Sequence, residues 1–222
     1  MVNNFCKEII QQLKTTGVVA GFSVEKVEHA VPIAEALLAG GIEAIELTIR
    51  TPVAIDAIRA ISAEVPRMLV GAGTILSPKL AAESKAAGAD FGVAPGLNHQ
   101  VVREAYSIGL PFAPGIATPS ELESAIELGC RFVKFFPAEP LGGITYLRSM
   151  SAPYKHLGVQ YFPLGGLNAE NMMDYLKEPN VPAIGGSWIV KKSLIENEDW
   201  AGIASRAAEV RSILTQSTQV TS

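Results

Sequence analysis

Gly40-Gly41-Ile42-Glu43-Ala44-Ile45-Glu46-Leu47-Thr48-Ile49-Arg50-Thr51-Pro52 contains one strand with its punctuation on both sides. The double glycine closes a preceding helix, residues 42–47 read as a buried strand, and a new helix is predicted over residues 52–61. A short run that is mostly apolar, rather than strictly alternating, is the pattern of a parallel strand covered on both faces. Parallel strands need a crossover between them, and a helix of this length supplies it. The fold is therefore decided by whether this unit recurs.

It recurs along the whole chain. An amphipathic helix opens the sequence within residues 1–16, with Phe5, Cys6, Ile9, Ile10 and Leu13 at helical spacing and Gly17 closing it. Strands are predicted over residues 18–22, 42–47, 68–72, 91–94, 111–114, 131–135, 159–163 and 181–184. A helical stretch follows each one. The first carries Val27, Ala30, Val31, Ala34, Leu37 and Leu38; the others span residues 52–61, 78–87, 100–108, 119–128, 143–150, 168–177 and 199–214. Residues 215–222 read as a polar tail. Eight strand-plus-helix units with a period of about 20 to 24 residues favour an α/β fold closed into a (β/α)8 TIM barrel over an open doubly wound sheet. One domain then takes the whole of residues 1–222. In such a barrel, function concentrates just after each strand, at the C-terminal face.

Composition removes several classes of function. At 48% hydrophobic and 18% charged, the chain is too apolar for disorder and can bury a sizeable core. A formal charge of −4, with Lys and Arg scattered, offers no field for nucleic acid. No apolar run reaches the roughly 20 residues that span a bilayer, and Lys7, Glu8, Gln11 and Gln12 interrupt the apolar core a signal peptide needs. A cytosolic location is expected. Cys6 and Cys130 read as packing thiols rather than a disulfide. His29, His99 and His156 stand without the close-spaced partners that zinc needs, so no metal is expected.

Chemistry-bearing residues fall at the predicted strand ends. In Ile45-Glu46-Leu47-Thr48-Ile49-Arg50, alternation sends Glu46, Thr48 and Arg50 to one face. These charges are either an ion pair at the rim or a general acid/base with a carboxylate clamp. Arg131-Phe132-Val133-Lys134-Phe135-Phe136-Pro137-Ala138-Glu139 places a lysine inside an apolar aromatic run. Lys134 either snorkels to water or is a nucleophile, because burial disfavours the charged form of an amine. Gly71-Ala72-Gly73-Thr74, Ala94-Pro95-Gly96 and Pro114-Gly115-Ile116-Ala117-Thr118 bring small residues to other strand ends, where a ligand can approach the backbone; Thr118 and Ser120 read equally well as helix N-caps. Gly165-Gly166 and Gly185-Gly186-Ser187 follow the last two strands. Barrels often bind phosphate there on backbone N–H groups.

Glu46-Leu47-Thr48-Ile49-Arg50-Thr51, Gly71-Ala72-Gly73-Thr74, Pro114-Gly115-Ile116-Ala117-Thr118, Phe135-Phe136-Pro137-Ala138-Glu139 and Gly185-Gly186-Ser187-Trp188 together resemble the 2-keto-3-deoxy-6-phosphogluconate (KDPG) aldolases, which include 4-hydroxy-2-oxoglutarate aldolases. The resemblance runs from the opening helix to the final one. It implies a class I lyase of the Entner-Doudoroff pathway, a homotrimer without metal or organic cofactor, acting on a small phosphorylated keto acid. It makes Lys134 the Schiff-base lysine and Glu46 the acid/base. Arg50 and Thr74 hold the carboxylate of the pyruvate moiety, Pro95, Phe136 and Leu164 contact the substrate, and Gly165, Gly166, Gly186 and Ser187 surround the phosphate. Two positions depart from the pattern: Ala20-Gly21, where many relatives have a proline, and Leu164, where phosphogluconate-type enzymes commonly have threonine.

Overall fold

The structure, a computed structural model, describes residue 5 and residues 7–219. Cys6 and the ends of the predicted opening helix and polar tail, residues 1–4 and 220–222, lie outside these residues. In chain order the elements are α1 (Lys7–Thr16), β1 (Val18–Phe22), α2 (Ala30–Ala39), β2 (Ala44–Thr48), α3 (Ala54–Glu64), β3 (Leu69–Gly73) and α4 (Pro78–Ala86). They continue with β4 (Phe91–Val93), α5 (His99–Ser107), β5 (Phe112–Ala113), β6 (Gly115–Ile116), α6 (Pro119–Glu127) and β7 (Phe132–Phe135). The last are α7 (Gly143–Ser151), β8 (Gln160–Pro163), α8 (Met172–Leu176), β9 (Ile184–Gly186), α9 (Lys192–Glu196) and α10 (Trp200–Gln219).

Every strand pairing is parallel. The strands form a six-stranded sheet, ordered β5-β4-β3-β2-β1-β9, and a three-stranded sheet, β6-β7-β8. The predicted fifth strand is split because Pro114, between β5 and β6, has no N–H to give to a ladder. A parallel bridge from Leu164 to Gly185 joins the end of β8 to β9. The α/β architecture with a curled parallel sheet and helices outside it is thus as expected, while the ladders themselves run as two sheets.

Alternation sorts the side chains into two cores. Ile45 and Leu47 of β2, Val133 and Phe135 of β7, and Ile33, Ala34 and Leu37 of α2 pack together between strands and helices. The opposite strand face contributes Val19, Ala44, Phe91, Val93, Ala113, Phe132 and Phe162 to an inner cluster. Phe5 and Leu13 close that cluster from the N-terminal side, the Phe5 ring centroid lying 4.4 Å from that of Phe132. Each fully buried aromatic contributes about 1.5 to 3 kcal/mol relative to exposure, so this plug is substantial. Glu46 and Lys134 share the inner face one step beyond Ala44 and Phe132. The inner cluster fills one end of the curl and leaves the two charges at the other.

Four elements differ from expectation; one is α8, which spans only Met172–Leu176 of the helix predicted over residues 168–177. Apolar residues 181–184 suggest the last strand, but β9 is Ile184–Gly186, paired with Val18, Val19 and Ala20. Glycines have little strand propensity, yet a Cβ at Gly185 would come within 2.6 Å of Leu164 Cδ2, and one at Gly186 within 1.9 Å of Trp188 Cζ3. Packing, not propensity, sets this strand. Helix α9 was not anticipated, being only five residues long. The polar tail from Thr215 is helical through residue 219: α10 continues to Gln219, with Thr215 Oγ1 donating to Arg211 O at 2.9 Å. Polar composition does not stop a helix without glycine or proline to break it. Among the described residues, no helix is long and apolar enough to cross a membrane.

Candidate active site

The strand ends open onto a cavity of about 580 Å³. Parallel register brings its two central groups together from distant segments. Glu46 pairs with Gly21 of β1 and Gly71 of β3, and Lys134 with Gly115 of β6 and Phe162 of β8. Lys134 Nζ donates to Glu46 Oε1 at 2.9 Å, and the two side chains are 7% and 2% exposed. Of the two readings of Glu46 and Arg50, the ion pair within one strand is not formed among the described residues; Glu46 is paired with Lys134 across the cavity instead. Strand alternation alone had left the partner open.

Two features hold the pair. The Glu46 carboxylate lies directly on Gly73, where a Cβ would fall 2.3 Å from Oε1. Phe136, two residues after Lys134 on the same face, sets its ring centroid 5.2 Å from Nζ. An ammonium over an aromatic face is stabilised by about 0.5 to 2 kcal/mol, and the ring shields the amine from water. Arg50 is exposed on the cavity wall and makes no ion pair among the described residues. Its guanidinium is available to an anionic ligand. The end of β2 is tied to the end of β1 by Thr48 Oγ1 donating to Phe22 O at 3.1 Å and Thr51 Oγ1 to Val24 O at 2.7 Å.

Of the residues singled out from sequence, Lys134, Glu46, Arg50, Phe136, Leu164, Gly165, Gly186 and Ser187 line this cavity. Thr74, Pro95 and Gly166 are not among the residues that line it. Thr74 follows Gly73 with φ 63°, a left-handed conformation that costs a β-branched residue roughly 1 to 3 kcal/mol. Pro95 backs Gly115, since a Cβ at that glycine would meet the Pro95 carbonyl at 2.2 Å. Gly166 joins Gly165 in a loop with φ 86° and 100°, a turn open to glycine. Gly186 belongs to β9 rather than to a turn, and Ser187 follows it. Thr118 is the N-cap of α6 in a capping box, its Oγ1 accepting from Glu121 N while Glu121 Oε2 accepts from Thr118 N.

The sequence reading missed the rim: Ser23, Lys26 and His29 beyond β1, and Lys191, Lys192 and Glu196 around α9. The same positional rule applied to the first and last strands finds them. His29 is fixed by Nε2 lying 3.2 Å from Glu198 Oε1 and by an edge contact with Trp200. Five Lys and Arg side chains line the cavity against three glutamates, in a chain of formal charge −4. Such a local surplus attracts anions. Among the described residues, no three His, Cys, Asp or Glu side chains converge as metal ligands. A buried amine hydrogen-bonded to a carboxylate, an unpaired guanidinium and a glycine loop within one cavity suit a nucleophile, a proton carrier and anion contacts on the same ligand.

Comparison with known proteins places this geometry. The sequence pattern of the aldolase family described as KDPG and KHG aldolase matches residues 9–206. The KHG/KDPG aldolase of Escherichia coli K12 is 44% identical over 204 residues, 91% of this chain and 95% of that protein. A crystal structure of KDPG aldolase from Legionella pneumophila, with pyruvate captured as a covalent carbinolamine intermediate, superposes with a TM-score of 0.85 at 37% identity, covering 90% of this chain and 97% of that one. The KDPG aldolase of Zymomonas mobilis with 3-phosphoglycerate gives 0.84 at 36% identity, over 91% and 93% of the two chains. With a family match along most of its length and relatives this similar over nine-tenths of it, the chain belongs to the KDPG and KHG aldolase family.

Proposed function

We propose that this chain is a class I aldolase that reversibly cleaves 2-keto-3-deoxy-6-phosphogluconate to pyruvate and glyceraldehyde 3-phosphate. The observation that carries the reading is the buried 2.9 Å contact between Lys134 Nζ and Glu46 Oε1 in a cavity shared with Arg50. Neutral Lys134 attacks the C2 ketone, forming the C–N bond as the carbonyl oxygen takes a proton. Glu46, within hydrogen-bond reach, carries protons through carbinolamine formation and loss of water. The resulting iminium accepts the electron pair of the C3–C4 bond as that bond breaks, and Glu46, directly or through one water, takes the C4 hydroxyl proton. The enamine is then protonated at C3, and hydrolysis returns pyruvate and the free amine. The carbinolamine in the Legionella relative is the corresponding covalent state in that protein.

In this reading Arg50 and Thr74 hold the carboxylate, Pro95 contacts the substrate, and Phe136 forms the apolar wall beside Lys134. Gly165, Gly166, Gly186 and Ser187 receive the phosphate on backbone N–H groups at the ends of the last two strands, and the Zymomonas relative is a structure with a phosphorylated acid, 3-phosphoglycerate. The sheet closes into a (β/α)8 barrel that takes the chain as one domain; the Leu164 to Gly185 bridge and the consecutive order of β5 and β6 around Pro114 support that closure. A cytosolic homotrimer completes the proposal, and light scattering that returns one chain mass rather than three would remove that part.

A second substrate is favoured by Leu164, apolar, 6% exposed and packed against Gly185. It gives no hydrogen bond to a sugar hydroxyl, so 4-hydroxy-2-oxoglutarate and the galactonate epimer suffer less discrimination. The test is pyruvate release from the three substrates, coupled to lactate dehydrogenase, by wild type and Lys134→Ala. Release that persists in Lys134→Ala, or none from wild type with any substrate, rejects the reading.

A further inference from the structure

The glycine loop is held from behind by one residue. Glu139 N donates to Gly165 O at 2.9 Å, and Ala138 N donates to Leu164 O at 2.8 Å, so the segment after β7 is laced to the loop after β8. The Glu139 side chain then lies on Gly166, where a Cβ would fall 2.6 Å from that of Glu139. Its carboxylate accepts a hydrogen bond from the Tyr175 hydroxyl on α8, the helix that follows the loop. Tyr175 is 1% exposed. Burial, and next the bond to Glu139, push its hydroxyl pKa up and keep the donor in place. Gly143 leaves room for the pair, since a Cβ there would approach Glu139 Oε1 to 3.1 Å and the Tyr175 oxygen to 3.4 Å. On the remaining side of the loop, Asn171 Nδ2 donates to Gly166 O at 3.3 Å. Neither Glu139 nor Tyr175 reaches the cavity.

We propose that Glu139 and Tyr175 are positioning residues for the Gly165-Gly166 loop and set recognition of the phosphate end of the substrate without touching it. The inference rests on reading that loop as the phosphate site. Glu139 is joined by its backbone to the strand that carries Lys134, so the pair fixes the distance between the imine-forming end and the phosphate end. A loop released from this brace presents its N–H groups in many orientations, which weakens anion binding but leaves the amine and carboxylate as they are.

The experiment compares steady-state cleavage of 2-keto-3-deoxy-6-phosphogluconate with that of 4-hydroxy-2-oxoglutarate, which has no phosphate, and measures inhibition by inorganic phosphate. Tyr175→Phe and Glu139→Ala are expected to raise KM for the phosphorylated substrate by about fivefold or more, the worth of one hydrogen bond, with kcat within about twofold. Phosphate inhibition weakens in parallel, and 4-hydroxy-2-oxoglutarate is cleaved as by wild type. Glu139→Gln, which still offers an acceptor to Tyr175, is expected to restore the wild-type KM. If Tyr175→Phe does not fold, the exposed Glu139 carries the test alone. An unchanged KM, or an equal loss with both substrates, overturns the proposal. A wild type that neither prefers the phosphorylated substrate nor is inhibited by phosphate instead overturns the reading of the loop, whereas absence of pyruvate from both substrates overturns the aldolase reading.

Discussion

Gly73→Ala tests the geometry of the Lys134–Glu46 pair without altering either residue. The three heavy atoms nearest a Cβ at position 73 all belong to Glu46: Oε1 at 2.3 Å, Cγ at 2.7 Å and Cδ at 2.8 Å. Ordinary contact lies near 3.4 Å, so the carboxylate has to retreat by about 1 Å. The 2.9 Å hydrogen bond to Lys134 Nζ then stretches out of range or breaks. A misplacement of about 1 Å can cost on the order of 100-fold, and a hydrogen bond to a charged group is worth roughly 1.5 to 3 kcal/mol. Loss of kcat by about 30- to 100-fold is therefore expected, with KM within about threefold, because Arg50 and the glycine loop are untouched. Gly73 has no left-handed φ, so alanine adds no backbone strain. Overpacking costs roughly 1 to 3 kcal/mol of stability, which thermal melting records separately. The assay is pyruvate release under saturating substrate, beside the rate of borohydride inactivation with pyruvate. A folded Gly73→Ala with kcat within about twofold of wild type would refute the idea that the position of this carboxylate limits the chemistry.

Other changes probe the remaining groups. Arg50→Lys keeps the charge but loses the planar fork, and is expected to lower kcat/KM by about 10-fold or more, mainly through KM for the keto acid, in steady-state assays. Leu164→Thr adds a hydroxyl beside the substrate and should shift the kcat/KM ratio of 2-keto-3-deoxy-6-phosphogluconate over 4-hydroxy-2-oxoglutarate upward by about fivefold to tenfold; a ratio unchanged or lowered contradicts the assignment. Stability should fall in alkali through the Tyr106–Cys130 contact of 3.1 Å. Burial first of all raises both pKa values, so the protonated groups favour the fold: their contribution is complete below the unfolded values and lost as pH rises beyond about 9 to 10. Urea unfolding at pH 8 and pH 10.5 should show a smaller loss in Tyr106→Phe/Cys130→Ala than in wild type.

The parts of the fold legible in the sequence are those where local pattern and packing agree. β1 occupies residues 18–22 as expected because its apolar run is bounded by Gly17, which takes φ 71° and donates its N–H to Leu13 O. Lys134 and Glu46 were visible because a charge in a buried strand has few structural uses. Alternation alone fixes the face a side chain points to but not which distant strand meets it, so their meeting depends on the curl of the sheet that brings the ends of β2 and β7 together. For the same reason a place at a strand end does not by itself put Thr74, Pro95 and Gly166 among the residues that line the cavity. β9 was displaced because its glycines are required by Leu164 and Trp188, contacts that exist only after folding. The rim residues Lys26, Lys191 and Lys192 are of types common on any surface, so only their place beyond the first and last strands marks them.

The central claim, that Lys134 forms the covalent bond to substrate, is tested most directly by borohydride reduction in the presence of pyruvate, followed by peptide mapping by mass spectrometry. The expected result is a single reduced pyruvyl adduct on Lys134, and none in Lys134→Ala. No adduct in the wild type, or an adduct on another lysine, would contradict it.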